Sequence, residues 1–159
     1  MATPKLSLEP ARSDQHDPDL VRAFTDAMTS ADIESIVNLF APDCEWMIMA
    51  TGERFCGRDK IKQLATRTVA ARDQPEGFGI KPVNVFTNPE GTKLCWEYVH
   101  SAVITEKWPS STRRPAVGTK FELPIILMCE IREGKLVKVR EYFDMLSAVE
   151  PGTPHRLYS

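Results

Sequence analysis

The reading of the fold turns on "IREGKLVKVREYFDM", Ile131 to Met145. "REGK" has turn chemistry, and the residues on either side are β-branched and aromatic, so the stretch reads as two strands joined by a hairpin. The same signal runs back to Gly79. "IKPVNVFTN", "KLCWEYVHSAVITE", "KFELPIILMCEIRE" and "LVKVREYFDML" are β-rich runs, with "NPEG" as a second hairpin turn and "KWPSSTRRPAVG" as a longer polar loop. Upstream of Gly79 the period changes. Leu20, Val21, Phe24, Ala27 and Met28 recur at three- and four-residue spacing, which predicts a helix. "TSADIESIVNLFAPD" reads as a second short helix, with Ser30 or Asp32 as its cap and Pro42 beyond its end. "CEWMIMAT" is a strand followed by a loop at Gly52. "CGRDKIKQLATRTVAARD" predicts a third helix, with Asp59 as a cap and "QPEGFG" ending it.

Helices grouped ahead of a run of strands give an α+β domain. The expected architecture is a cone: a strongly curved antiparallel sheet whose open side is covered by the N-terminal helices, enclosing an apolar pocket of the kind that holds ligands. At 159 residues the chain suits one domain. Residues 1–17 read as a flexible arm, 18–149 as the domain and 150–159 as an irregular tail.

Hydrophobic residues make up 42% and charged residues 26%, with a net charge of −2 and both signs interspersed. That balance points away from nucleic acid and from anionic membranes as partners. No apolar run approaches the roughly 18 residues of a membrane span, and the N-terminus has no apolar signal-peptide core. Cys44, Cys56, Cys95 and Cys129 show neither Cys-x-x-Cys nor zinc-ligand spacing. They read as reduced, mostly buried thiols in a cytoplasmic protein.

The residues with chemistry to offer are polar ones on apolar strands. In "WEYVHS", alternation puts Trp96, Tyr98, His100 and Ala102 on one face. If that face lines the pocket, a phenol and an imidazole stand side by side, suited to hydrogen-bond donation and proton transfer. The same pattern also suits a hydrogen-bonded structural histidine. Asp144, after Tyr142-Phe143, is costly if buried as an ion without a partner. It reads either as a strand-end carboxylate turned to solvent or as a base, or an orienting group for His100. Arg140 shares its strand parity and is positioned to pair with it. Trp46, Ile48 and Ala50 alternate with Glu45, Met47 and Met49, and Trp46 suits the wall of a site for an aromatic ligand. Arg113 and Arg114 lie in the polar loop, as solvated charges or as partners of a substrate anion.

"AFTDAMTSADIESIVNLFAPDCEW", "GRDKI" and "GKLVKVREYFDM" together resemble the limonene-1,2-epoxide hydrolase family. More broadly the resemblance is to the nuclear transport factor 2-like superfamily, with its ketosteroid isomerases, SnoaL-type polyketide cyclases and scytalone dehydratase. It covers about Asp19 to Val149 and implies a cone-shaped α+β barrel, a homodimer and no cofactor or metal. The epoxide hydrolases use an Asp-Arg-Asp set. The resemblance places Asp144 at the final-strand Asp, and Tyr98 and His100 at the other two positions. Trp46 and Ile48 fall where that family holds its attacking water with Tyr and Asn, and neither can do so. Leu123, Ile125 and Ala102 fall on the pocket wall. The resulting expectation is a lyase that dehydrates a small aromatic, oxygenated substrate or removes an aldehyde from it by retro-aldol cleavage. Tyr98, His100 and Asp144 are its acid–base group. An isomerase or polyketide cyclase, an epoxide hydrolase, and a non-catalytic binding or assembly domain are the alternatives.

Overall fold

A computed structural model describes residues 19–70, 79–103 and 116–144. The arm at 1–17, the polar loop with Arg113 and Arg114, and the tail at 150–159 lie outside the described residues. Three helices precede most of the sheet: α1 (Asp19–Ser30), α2 (Ile33–Asn38) and α3 (Arg58–Ala70). The strands are β1 (Phe40–Ile48), β2 (Glu53–Cys56), β3 (Gly79–Thr87), β4 (Lys93–Val103), β5 (Lys120–Arg132) and β6 (Lys135–Phe143). They form one sheet in the order β2-β1-β6-β5-β4-β3.

The helices form where the apolar spacing requires. Val21, Phe24, Ala27 and Met28 are the buried stripe of α1. Ala31, at φ 59°, breaks α1 from α2. Asp32 then caps α2 by accepting from the Ser35 backbone N–H at 3.0 Å. The α2 pattern ends earlier than the sequence suggests, because β1 already begins at Phe40, a side chain with no exposure. Asp59 lies in the first turn of α3 rather than ahead of it, where its charge still favours the helix N-terminus. Arg58 Nε donates to the Phe40 carbonyl at 2.8 Å and ties α3 to the start of β1.

Two features of the sheet are not foreseen. First, β2 is a four-residue edge strand in a segment that reads as loop. It pairs antiparallel with β1 from Glu45↔Cys56 to Ile48↔Glu53. Second, the sheet is mixed, because β1 lies parallel to β6 (Trp46↔Val139, Ile48↔Glu141), while the other ladders are antiparallel. A parallel pair needs a long crossover, and here the crossover is nearly the whole domain. The α+β architecture itself is the expected one.

The inner face of the sheet and the three helices share one core. Trp46, Leu94, Trp96, Ile125, Leu127 and Val139 contribute to it from four neighbouring strands. Phe24 bridges the layers, stacked on Trp46 at 6.2 Å and edge-on to Trp96 at 5.4 Å.

The β5–β6 hairpin is the two-residue turn expected from "REGK". Glu133 and Gly134 both have positive φ, 52° and 70°, as a type I′ turn requires. A glutamate tolerates that region poorly, at about 1–2 kcal/mol, whereas asparagine is favoured there. Glu133→Asn should therefore stabilise the fold by about 1 kcal/mol or less, read as a higher urea midpoint with an unchanged m-value.

Candidate active site

Between the helices and the inner face lies a cavity of about 70 Å³. Phe24 and Met28 of α1, Ile36 of α2, and Ile61, Leu64, Ala65 and Thr68 of α3 form its roof. Trp46, Ile80, Tyr98, His100 and Glu141 form its sheet side. The wall is aromatic and aliphatic, and the polar groups that reach it come from β1, β4 and β6, with the Thr68 hydroxyl of α3 bonded back to the Leu64 carbonyl at 3.0 Å. At that volume the cavity is smaller than an aromatic ring needs, so such a ligand enters as side chains of the roof move aside.

The carboxylate in the cavity is Glu141. Its Oε2 accepts from the Trp46 indole Nε1 at 2.9 Å. Burial pushes the Glu141 carboxyl up to about 7, against a usual 4.5. The Trp46 hydrogen bond and the Arg67 guanidinium pull the other way, and Glu53 adds to the rise. A carboxyl poised there exchanges a proton near neutral pH, which is the property a general acid or base needs.

Tyr98 is 5% exposed. Burial, and then the Glu141 charge, hold its phenol well above the usual 10. It is therefore a neutral hydrogen-bond donor at physiological pH. Trp96 packs against it with ring centroids 4.8 Å apart. The buried Trp96 Nε1 has no hydrogen-bond partner among the described residues, so an N–H donor lies next to the phenol. His100, on the same face of β4 as Tyr98, lines the cavity, and its Nε2 is buried.

Asp144 requires a correction. It follows β6, is exposed and does not line the cavity. The parity of β6 is fixed by Val139, which has no exposure, so Glu141 and Phe143 face inward while Arg140 and Tyr142 face out. Arg140 accordingly lies outside, in an open groove of about 340 Å³ with Phe86, Cys95 and Met128. Trp46 lines the cavity, but as the orienting donor to Glu141 as well as a wall. Ile48, Leu123 and Ile125 are buried in the core, and Ala102 packs against it, without lining the cavity. The sequence reading passed over Glu141 and the α3 face of Ile61, Leu64 and Thr68. Among the described residues, no three His, Cys, Asp or Glu side chains cluster as a metal site.

The SnoaL-like domain family matches residues 21–139 of the chain. Among solved structures, a Catenulispora acidiphila protein with a ketosteroid isomerase-like fold, in complex with trimethylamine, is 22% identical. Its TM-score is 0.68, over 87% of this chain and 96% of that one. A putative polyketide cyclase from Xanthomonas campestris pv. campestris is 21% identical, with a TM-score of 0.65 over 82% of this chain and 92% of that one. SalBIII, an epoxide hydrolase/cyclase-like enzyme in pyran ring formation of the polyether salinomycin, is 16% identical. Its TM-score is 0.63 over 80% of this chain and 89% of that one. At these identities the likeness is one of fold.

The raised Glu141 carboxyl predicts a pH effect on stability. Its folded value, about 7, lies above the usual 4.5. Between those values the folded state binds more protons than the unfolded chain, so stability falls as pH rises from 4.5 towards 7. Glu141→Gln keeps the acceptor for Trp46 and removes the charge. It should match the native protein at pH ~4 and exceed it at pH ~8 by on the order of 2 kcal/mol, after a discount for the residue's partial exposure. Urea denaturation at the two pH values measures this.

Proposed function

From the chain's membership of the SnoaL-like domain family, we propose that it is an acid–base enzyme whose working groups are Glu141, Tyr98 and His100. The observation that carries this is the Glu141 carboxyl, held near neutral pH beside a neutral phenol in one apolar cavity. The polyketide cyclase and epoxide hydrolase/cyclase-like neighbours share the fold, and their activities are consistent with chemistry in such a pocket.

The reaction we favour is a lyase step on a small aromatic, oxygenated molecule that needs no cofactor. The aromatic wall of Phe24 and Trp46 suits such a ring. Ionised Glu141 takes a proton from a hydroxyl or an activated carbon. The electrons left behind expel water or cleave the carbon–carbon bond to release a small aldehyde. Tyr98 donates a hydrogen bond to the oxygen on which charge develops. His100 shuttles the proton to the leaving oxygen or back to carbon, so that protons balance over the cycle. Glu141 thus replaces Asp144 as the carboxylate of the group and takes the proton itself, a step the sequence reading gives to His100 oriented by Asp144. An isomerase or cyclase uses the same base and donor and keeps all atoms.

Mass-resolved turnover of a panel of aryl β-hydroxyketones tests this. Glu141→Gln should lose roughly 10²–10⁴-fold in kcat, as expected for removal of a general base. Tyr98→Phe and His100→Ala should also lose activity, and Asp144→Asn should stay near native. The activity of a base rises with pH through about 7. Turnover that survives Glu141→Gln sinks the assignment. Products of unchanged mass favour the isomerase, and oxygen-18 from water in the product favours epoxide hydrolysis.

For the assembly, we propose a homodimer formed by the outer face of the sheet. Phe86, Ile126, Met128 and Tyr142 are exposed on that face by 59%, 41%, 46% and 40%. At one end of the patch Lys93 and Lys138 flank Glu130, and Lys93 Nζ pairs with Glu130 Oε1 at 3.2 Å. A two-fold axis through the patch sets these apolar side chains of one copy against the same side chains of the next, as an isologous interface requires. Light scattering should give twice the chain mass for the native protein and a monomer for Met128→Glu. A native monomer overturns the proposal.

A further inference from the structure

We propose that Arg67 is a positioning residue of this site: a counter-charge anchored at the rim that, in opposition to Glu53, governs the proton carried by Glu141. The inference rests on the reading of Glu141 as the working carboxylate, and it names the groups that control it.

The geometry comes from the sheet register. Glu141 of β6 pairs with Ile48 of β1, and Ile48 pairs with Glu53 of β2. The three residues form one row, and residues opposite each other across a sheet share a face. Ile48 is buried, so Glu141 and Glu53 project on the helix side from either flank of it. In the next row Val139, Trp46 and Phe55 are paired in the same way. Arg67 comes down on these two rows from the end of α3, the helix whose Leu64, Ala65 and Thr68 line the cavity.

Arg67 is held in two ways. Its Nη1 is 3.1 Å from Glu53 Oε1, and its guanidinium carbon is 5.3 Å from the centre of the Phe55 ring. Glu53 is itself fixed by the Thr51 hydroxyl, which donates to its Oε2 at 3.2 Å. The cation is therefore placed by contacts outside the cavity, and nothing in the acid–base chemistry needs it to move. The charges act on Glu141 with opposite sign: Arg67 favours its ionised form and Glu53 opposes it. No Lys or Arg lines the cavity itself among the described residues. Trp46 donates from β1, β5 presents Leu127, and β4 presents Tyr98 and His100. The helices α1 and α2 present Phe24, Met28 and Ile36. Arg67 is the guanidinium that acts on this carboxyl from the rim, where Glu53 holds it.

The test reads Glu141 directly and needs no substrate. Protein labelled with carbon-13 at glutamate carboxyls is titrated by NMR, and the resonance lost in Glu141→Gln assigns the signal. Arg67→Gln should shift the Glu141 midpoint upward. Glu53→Gln should shift it downward, since it removes the opposing charge and frees Arg67. The double variant should return towards the native midpoint. About 1 M salt, with a Debye length of roughly 3 Å, should shrink both shifts. Arg67→Lys keeps the charge and should stay nearest the native value, which separates loss of charge from loss of fold. Shifts of the same sign, or no shift in Arg67→Gln, overturn the proposal. If native Glu141 titrates like an exposed glutamate, it is not the working acid–base group, while the signs of the shifts still decide the role of Arg67.

Discussion

The parallel pairing of β1 with β6 is the constraint on which the rest depends. It sets Trp46 against Val139 and Ile48 against Glu141. Without that register the indole N–H would not meet the carboxyl at 2.9 Å. The pairing also fixes what lies on either side. β2 can pair only on the free edge of β1, and β5 only on the free edge of β6. The helices then cover the face that carries Trp46, and the cavity is the space left between them. The ladder joins the N-terminal part of the domain to its last strand, and the Trp46–Glu141 pair lies along that seam.

The seam carries a group that works against the fold. A carboxyl on an apolar inner face favours its neutral form, because burial penalises the ion. One hydrogen bond from Trp46 offsets that only in part. Side chains with such properties are found where activity needs them more than stability does. Tyr98 shows the same bias towards the neutral form. The cavity therefore stores a proton on one residue and offers a hydrogen bond from another, with His100 on the strand of the second.

Much of the fold was legible in the sequence because it follows from local patterns. The stripe of α1, the Asp32 cap and the "REGK" turn depend on neighbours three or four residues apart. β2 was not legible, since "ERFC" is short and three of its four residues are exposed. The parallel ladder was not legible either, because it joins segments about ninety residues apart and no local spacing records it. Alternation on β4 put Tyr98 and His100 on one face, and that face lines the cavity. On β6 alternation also separates the two carboxylates, with Glu141 on the cavity side and Asp144 exposed outside it. Val137, Val139, Glu141 and Phe143 form the more apolar set, and Lys138, Arg140, Tyr142 and Asp144 the more polar one. From Val139 onward the apolar set faces in, whereas at the start of the strand the buried residue is Leu136, of the other parity. The family motif drew attention to the Asp, and the period of two pointed to the Glu.

The distance in sequence between Trp46 and Glu141 has a kinetic consequence. Their hydrogen bond spans 95 positions. During synthesis, β1 emerges long before the strand that shields its inner edge. Until β6 is made, β1 has only the short β2 beside it, and an unpaired strand edge is a template for misassociation. Closing so long a loop also slows folding relative to the local hairpins β3–β4 and β5–β6. The two hairpins are thus the natural early structures, and the β1–β6 zipper is the late one. The cavity comes into being with that last step, so an intermediate holding every helix and hairpin would still have no site.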